Sequence, residues 1–375
     1  MTDADEIADI RRPVLRSLWF KFHKWIGIVL AIVLIPLSLT GSLLVWHDPL
    51  DEMLHPARYA ASGPAQFPPS HYVAAARTKL PAGARIVSLA LPAGQPVEAI
   101  AVDPPKDPGR AGPPQRTAVW LDPVSLRVID SGPTMDGIIR FAHDFHGSLL
   151  ISGGNGRTLV GVLGGAMLIS ALTGLWLWWP AVGGFLRGLR WRRHRHLDGN
   201  LHHLTGFWTA LPLAVLSLTG VFISFPAILN AVAGAPAGQT GPGGGAARGR
   251  TLPLAETRLT ADQAVAAALP LAKGAPAMIT WPTDRQPAWR IAFGGEGRKR
   301  TTVAVDDQTG AAEKARPEER RPGANGLARR IHDGDGMAFI WQLIIFLGGI
   351  TPAILGVTGI IMWLRMRRVR ARAGV

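Results

Sequence analysis

The apolar positions of this chain gather into four uninterrupted blocks, residues 26–46, 159–179, 204–225 and 338–364, and no charged residue falls inside any of them. Each block reaches the roughly 20 residues that a helix needs to cross a bilayer. The pattern therefore predicts four transmembrane helices. Between the first and second blocks, and again between the third and fourth, the apolar period drops towards two and the segments shorten. In the first of these intervals residues 70–80 read as a helix, followed by strands at 85–91, 97–102, 117–121 and 126–129. The second interval repeats the scheme, with a helix at 260–271, strands at 277–281, 288–293 and 301–305, and a turn at 306–310. The fold class that follows is a membrane all-α four-helix transmembrane bundle with two small α+β domains, arranged as an internal duplication.

Other stretches fill the gaps in this picture. Residues 137–151 read as an interfacial helix just ahead of the second span. Residues 104–114 and 233–248 are so rich in Pro, Gly and Ala that they read as linkers, unable to bury enough apolar surface to order themselves. Residues 306–326 carry enough charge to read as solvated surface.

Charge decides orientation. A formal net charge of +14 would suggest nucleic acid if it were spread along a soluble face. It is instead clustered beside the spans: Arg11, Arg12, Arg16, Lys21 and Lys24 before the first, Arg187, Arg190, Arg192, Arg193 and Arg195 between the second and third, and Arg365, Arg367, Arg368 and Arg370 after the fourth. With four crossings all three clusters fall on one side, which predicts cytoplasmic termini in a bacterial inner membrane and a lipid bilayer rather than a nucleic acid as partner. On that topology residues 1–25, 180–203 and 365–375 are cytoplasmic, residues 47–142 and 226–331 form the two periplasmic domains, and residues 143–158 lead into the second span. The acidic start and the lack of a small-residue cleavage pattern predict that the first span is retained. Trp25, Trp46, Trp176, Trp178, Trp179 and Trp363 stand near span ends, where indoles favour the headgroup level.

The chemistry is carried by histidines. His23 stands four residues before Gly27 and seventeen before Thr40, and His202 stands at the same distances from Gly206 and Thr219. Two more apolar blocks end in a Thr-Gly pair, at Thr173-Gly174 and Thr358-Gly359, with His146 and His332 upstream. Paired histidines on facing helices can hold a flat macrocycle by its iron. The chain has no cysteine, so disulfides, iron–sulfur clusters and covalent haem attachment are excluded. The expectation is two b haems, one near each membrane face: His23 with His202 on the inner side, His146 with His332 on the outer. His203 and His143 remain alternatives, since His203 adjoins His202 and His143 lies three residues before His146 on the same helical face. His55, His71, His194 and His196, and for the most part His47, read as ordinary interfacial polar contacts. The Thr-Gly pairs read as helix packing, because small residues let helices approach closely.

These features carry a family resemblance. The His-x-x-x-Gly openings, the four Thr-Gly pairs, the run from Leu175 to Pro180, the Ile331-His332-Asp333-Gly334 stretch and the closing run from Gly359 to Arg365 resemble the PepSY-associated transmembrane family, and the two outer intervals look like PepSY domains. The likeness implies b-type haem held by histidines at the span ends, positions that fall here on His23, His146, His202 and His332. It also implies an inner-membrane oxidoreductase that reduces a ferric siderophore or other ferric chelate. Reduction weakens the grip of a hard-oxygen chelate, because Fe(II) lies low in the affinity order and loses the charge that carboxylate and hydroxamate oxygens prefer. No catalytic triad, carboxylate pair or dinucleotide fingerprint is present, so electrons are expected from a quinol or a separate cytoplasmic reductase. The rival expectation is a non-redox membrane protein whose outer domains bind peptides, proteases or envelope partners.

Overall fold

The computed structural model describes residues 3–104, 115–152, 154–179, 194–234, 252–294, 301–315 and 324–373, together with residues 186, 189 and 190. The expected linkers at 104–114 and 233–248 lie almost wholly outside the described residues, as does much of the basic stretch 180–203. In chain order the elements are α1 (Asp3–Val45), α2 (His47–Leu54), α3 (Pro69–Arg77), β1 (Arg85–Ala90), β2 (Val97–Val102), β3 (Arg116–Leu121) and β4 (Val128–Pro133). Next come α4 (Gly137–Ser148), α5 (Gly154–Trp178), α6 (Leu197–Ser224), α7 (Pro226–Val232) and α8 (Ala261–Ala268). The chain then runs through β5 (Pro276–Thr280), β6 (Ala288–Phe293), β7 (Thr301–Asp306), β8 (Ala312–Lys314), α9 (Ala324–Asp333) and α10 (Phe339–Ala373). It divides into two compact units, each assembled from segments distant in sequence.

The helical unit contains α1, α5, α6 and α10, and all four are long and apolar enough to cross a membrane. Large apolar side chains such as Ile32, Val162, Leu211 and Ile340 are exposed along them, as expected of helices solvated by lipid. The helices approach through small residues, which matter in lipid because no hydrophobic drive separates one apolar face from another. A side chain added at Gly356 of α10 would press on Ile35 and Ala31 of α1, and one at Gly161 of α5 on Phe225 and Ser224. Ser42 of α1 donates to the Phe346 carbonyl of α10 at 3.0 Å. Pro352 cannot bond to the carbonyl of Gly348 one turn earlier, and the Thr351 hydroxyl donates to that oxygen instead, at 3.1 Å. At one end of the bundle Arg365 of α10 reaches Asp198 in the first turn of α6, at 2.9 Å.

The second unit is a single antiparallel sheet of eight strands in the order β4-β3-β2-β1-β5-β6-β7-β8. Two separate α+β domains were expected from the sequence pattern, and the structure corrects this. Each half is a helix followed by a four-strand meander, but β1 and β5 pair with each other, Leu89 opposite Ile279. Left apart, each half would present an open edge of unpaired backbone groups; joined, they satisfy both. The core is correspondingly common to both halves, with Tyr72, Leu89, Val97 and Leu121 in one cluster with Val265, Ile279, Trp289 and Phe293. The N-terminus of α3 is tied to that of α8, since Asp262 accepts from the Ser70 backbone N–H at 2.9 Å and from its hydroxyl. The last strand, β8, falls in a stretch where the sequence pattern predicts solvated surface.

Two buried acids and one buried arginine fasten this unit. Asp122 accepts from the Ser62 hydroxyl and from the Ser125 N–H and hydroxyl, which hold its carboxyl well below the usual carboxylate range. Asp307 accepts from the Arg258 and Leu259 backbone N–H groups and from the Trp289 indole. Arg58 donates to Asp130 at 2.6 Å and to Asp136 at 2.8 Å, with its guanidinium 4.3 Å from the centroid of the Trp120 ring.

Candidate functional site

The helical unit brings together the histidines that the spacing singles out, at its two ends. His146 is carried by α4, a short helix ending where Leu149 and Leu150 turn the chain with positive φ. His332 is carried by α9, immediately before the glycine turn that leads to α10. Their ring centroids are 6.1 Å apart. Two metal–nitrogen bonds of about 2 Å plus about 1 Å from each nitrogen to its ring centre give roughly 6 Å, the span of a bis-histidine clamp. Burial pushes the His332 imidazole down to about 4, with the neighbouring His146 acting in the same direction and the Leu216 carbonyl opposing it. Burial lowers His146 as well. In both rings burial favours the neutral form, the one in which imidazole can ligate a metal.

The other end of the bundle holds His23 of α1 and His202 of α6. Both line one cavity of about 830 Å³ between the helices, within the size range of cofactor pockets. Gly27 and Gly206, one turn after the two histidines, also line it, and no atom within 4 Å would meet a side chain added at Gly27. The remaining wall is largely apolar, with Arg16, Lys24 and Arg365 as its cationic members. A haem held by two histidines would need room for a flat apolar ring and cations for its propionates; the cavity offers two imidazoles, apolar walls and three cations, so the residues present fit the group. The two ends are well separated: His146 meets α1 at Leu37, which at 1.5 Å per residue lies about 21 Å along the helix from His23.

Three of the four histidines rest on both members of a Thr-Gly pair of another helix, and the fourth, His146, rests on the glycine of such a pair, Gly41. His23 Nδ1 lies 3.1 Å from the Thr173 hydroxyl of α5, with the Ser170 carbonyl also in reach. His202 Nδ1 lies 3.0 Å from the Thr358 hydroxyl and 3.1 Å from the Leu355 carbonyl, both on α10. His332 Nδ1 makes the same two contacts on α6, 3.0 Å to Thr219 and 3.1 Å to the Leu216 carbonyl. His146 Nδ1 lies 2.8 Å from the Leu37 carbonyl of α1. The glycine of each pair is where the ring sits: an added Cβ would come within 2.5 Å of His146 at Gly41, 3.1 Å of His23 at Gly174, 3.3 Å of His332 at Gly220 and 3.5 Å of His202 at Gly359. The four glycines and three of the threonines of these pairs, expected to be helix packing, thus form the histidine seats, Thr40 being the exception. Their recurrence was visible in the sequence; that each serves a histidine from a different helix was not.

The alternatives take other places. His143 is exposed and faces Asp144 at 3.4 Å. His203 lines the same cavity as His202 but stacks on Trp178, ring centroids 5.7 Å apart, with His194 at 5.4 Å. His194, expected at the interface as a simple polar contact, is thus also a wall of the cavity. In the sheet unit His55 lies between Asp51 at 3.1 Å and Asp136 at 3.5 Å, with ligand-type atoms within 4.8 Å of one another. That group already has a counter-charge in Arg58.

A family model described as the PepSY-associated TM region matches residues 20–366. No curated protein matches the chain.

Proposed function

The chain belongs to the PepSY-associated transmembrane family, and we propose that it is an electron-transfer protein of a bacterial inner membrane, holding two b haems and reducing ferric chelates outside. The single observation that carries this reading is the clamp at each end of the bundle: His146 and His332 with ring centroids 6.1 Å apart, and His23 and His202 on a shared cavity. Haem bound at these places supplies a one-electron carrier that needs no acid, base or nucleophile from the protein. The chain's own residues do the rest. His23 and His202 hold one ring, His146 and His332 the other, and Arg16, Lys24 and Arg365 neutralise propionates at the first. The apolar walls between the spans keep bulk water from the path. With both termini cytoplasmic, the His23 end faces the donor, a quinol or a separate reductase, and the His146 end faces the acceptor. A ferric siderophore or similar ferric chelate takes one electron there, and its iron leaves as Fe(II), held more weakly by hard oxygen ligands.

The reading is tested by mixing the anaerobically reduced, detergent-purified protein with a ferric trihydroxamate and with its gallium analogue, which has the same shape but accepts no electron. The ferric chelate is expected to reoxidise the protein, while the gallium chelate leaves it reduced. His332→Ala is expected to slow the ferric reaction at least tenfold by removing the outer carrier. Reduced protein that persists in excess ferric chelate would remove this substrate class from the account.

A further inference from the structure

The hydrogen bonds around the histidines carry a second conclusion, which rests on the haem reading above. A hydroxyl has one proton to donate. Thr173, Thr219 and Thr358 each place a hydroxyl against the carbonyl one turn earlier in their own helix, at 2.8, 2.8 and 2.7 Å. With that proton committed, each threonine oxygen can only accept from the imidazole beside it. The carbonyls of Leu216, Leu355 and Leu37 can only accept as well. Nδ1 must therefore be the protonated nitrogen of the ring, and the neutral tautomer leaves the Nε2 lone pair free.

We propose that Thr219, Thr173 and Thr358 are positioning residues: they hold His332, His23 and His202 as the Nδ1–H tautomer, present Nε2 to the iron, and lower the reduction potential of the haem each histidine serves. An acceptor on Nδ1–H raises the electron density at Nε2, and a more basic imidazole favours ferric over ferrous iron. The seats also organise the bundle. α1 seats His146, which precedes α5, while α5 seats His23 of α1. In the same reciprocal way α6 seats His332, which precedes α10, and α10 seats His202 of α6. Each haem then takes one histidine from each reciprocal pair of helices, so its ligands are held from both sides of the seam it lies across.

One departure from the fourfold pattern supplies the control. Among the described residues, Thr40 bonds only into its own helix, to the Pro36 and Leu37 carbonyls at 2.9 Å, while His146 takes the Leu37 carbonyl alone. Thr40 and Thr219 therefore occupy matching places at the same haem, and only Thr219 touches a ligand. Spectroelectrochemical titration of the full-length protein resolves the two couples in wild type, Thr219→Val, Thr219→Ser and Thr40→Val. Thr219→Val is expected to move one couple positive by up to a tenfold change in the ferric-to-ferrous affinity ratio, about 59 mV for one electron. Thr219→Ser should restore it, Thr40→Val should leave both couples in place, and Thr358→Val should move the other couple. Should Thr219→Val fail to assemble, Thr358→Val and Thr173→Val ask the same question at the His23/His202 haem. Two haems whose couples ignore these threonines, or respond equally to Thr40→Val, would overturn the positioning role while sparing the haem reading. A wild-type protein without haem would overturn the reading itself.

Discussion

On the proposed two-haem reading, Gly41→Ala is expected to cost the protein the haem proposed at His146 and His332, whereas Gly359→Ala is expected to keep both haems. The two glycines are equivalent in the sequence, each following a span threonine, and the difference lies in the room beside them. A methyl at position 41 would lie 2.5 Å from His146 Cε1 and 2.9 Å from Nδ1, well inside van der Waals contact. The ring cannot retreat without giving up its 2.8 Å bond to the Leu37 carbonyl, and with it the orientation of Nε2. At position 359 the nearest ring atom, His202 Cε1, is 3.5 Å away, an ordinary contact. Alanine is otherwise the better helix former by up to about 1 kcal/mol, so loss of haem from the first variant cannot be assigned to a weaker helix. Haem per chain in the purified variants checks the pair. Gly174→Ala and Gly220→Ala, with 3.1 and 3.3 Å to their histidines, should fall between them.

Asp307→Ala is expected to destabilise the sheet unit by about 3 kcal/mol, because it leaves the buried Trp289 indole and two part-buried backbone N–H groups without their acceptor. The carboxylate is 1% exposed and accepts from the Arg258 and Leu259 N–H groups and from the Trp289 indole at 2.8 Å. Those donors fix the entry to α8 and the largest side chain of the core, so both halves of the sheet feel the loss. Hydrogen exchange on the full-length protein reads the effect locally. Amides of β6 and β7 should lose protection by roughly a hundredfold, the equivalent of that free energy, while amides of α6 keep theirs. An equal loss in α6 would mean that the two units unfold together.

How much of this was written in the sequence differs between the two units. The four spans are legible because lipid allows no charge inside them, and the C-terminal ends of α5 and α6 fall within one residue of the ends of the apolar blocks. α1 begins well before its block, because Arg16, Lys21 and Lys24 continue the helix past the apolar stretch. Strands β2 and β6 begin and end where the alternation of apolar residues does. The pairing of β1 with β5 had no local signal: an edge strand's partner is set by tertiary assembly, and these two are separated by two spans. His55 was read as an interfacial contact for a similar reason, since its partner Asp136 lies far along the chain in the same unit.

The histidines divide along the same line. Repetition of spacing singled out His23, His146, His202 and His332, and among the described residues these four sit against the glycines of the Thr-Gly pairs. Spacing could not choose between His143 and His146, three residues apart on one helix, and burial separates them: one is exposed to solvent and the other lies against α1. The choice of His202 over His203 depends on Thr358, which is more than 150 residues further along the chain. A recurring dipeptide in an apolar helix reports close packing; what it packs against is decided by a helix elsewhere.

The visible spectrum of the detergent-purified protein, oxidised and then reduced, with a haemochrome count per chain, tests the central claim most directly. A b-type spectrum with two haems per chain is expected, falling to one in His23→Ala and in His332→Ala. A colourless protein expressed with ample haem, or a haem content that neither substitution changes, would contradict it and turn attention to the eight-stranded sheet as a surface for peptide or envelope partners.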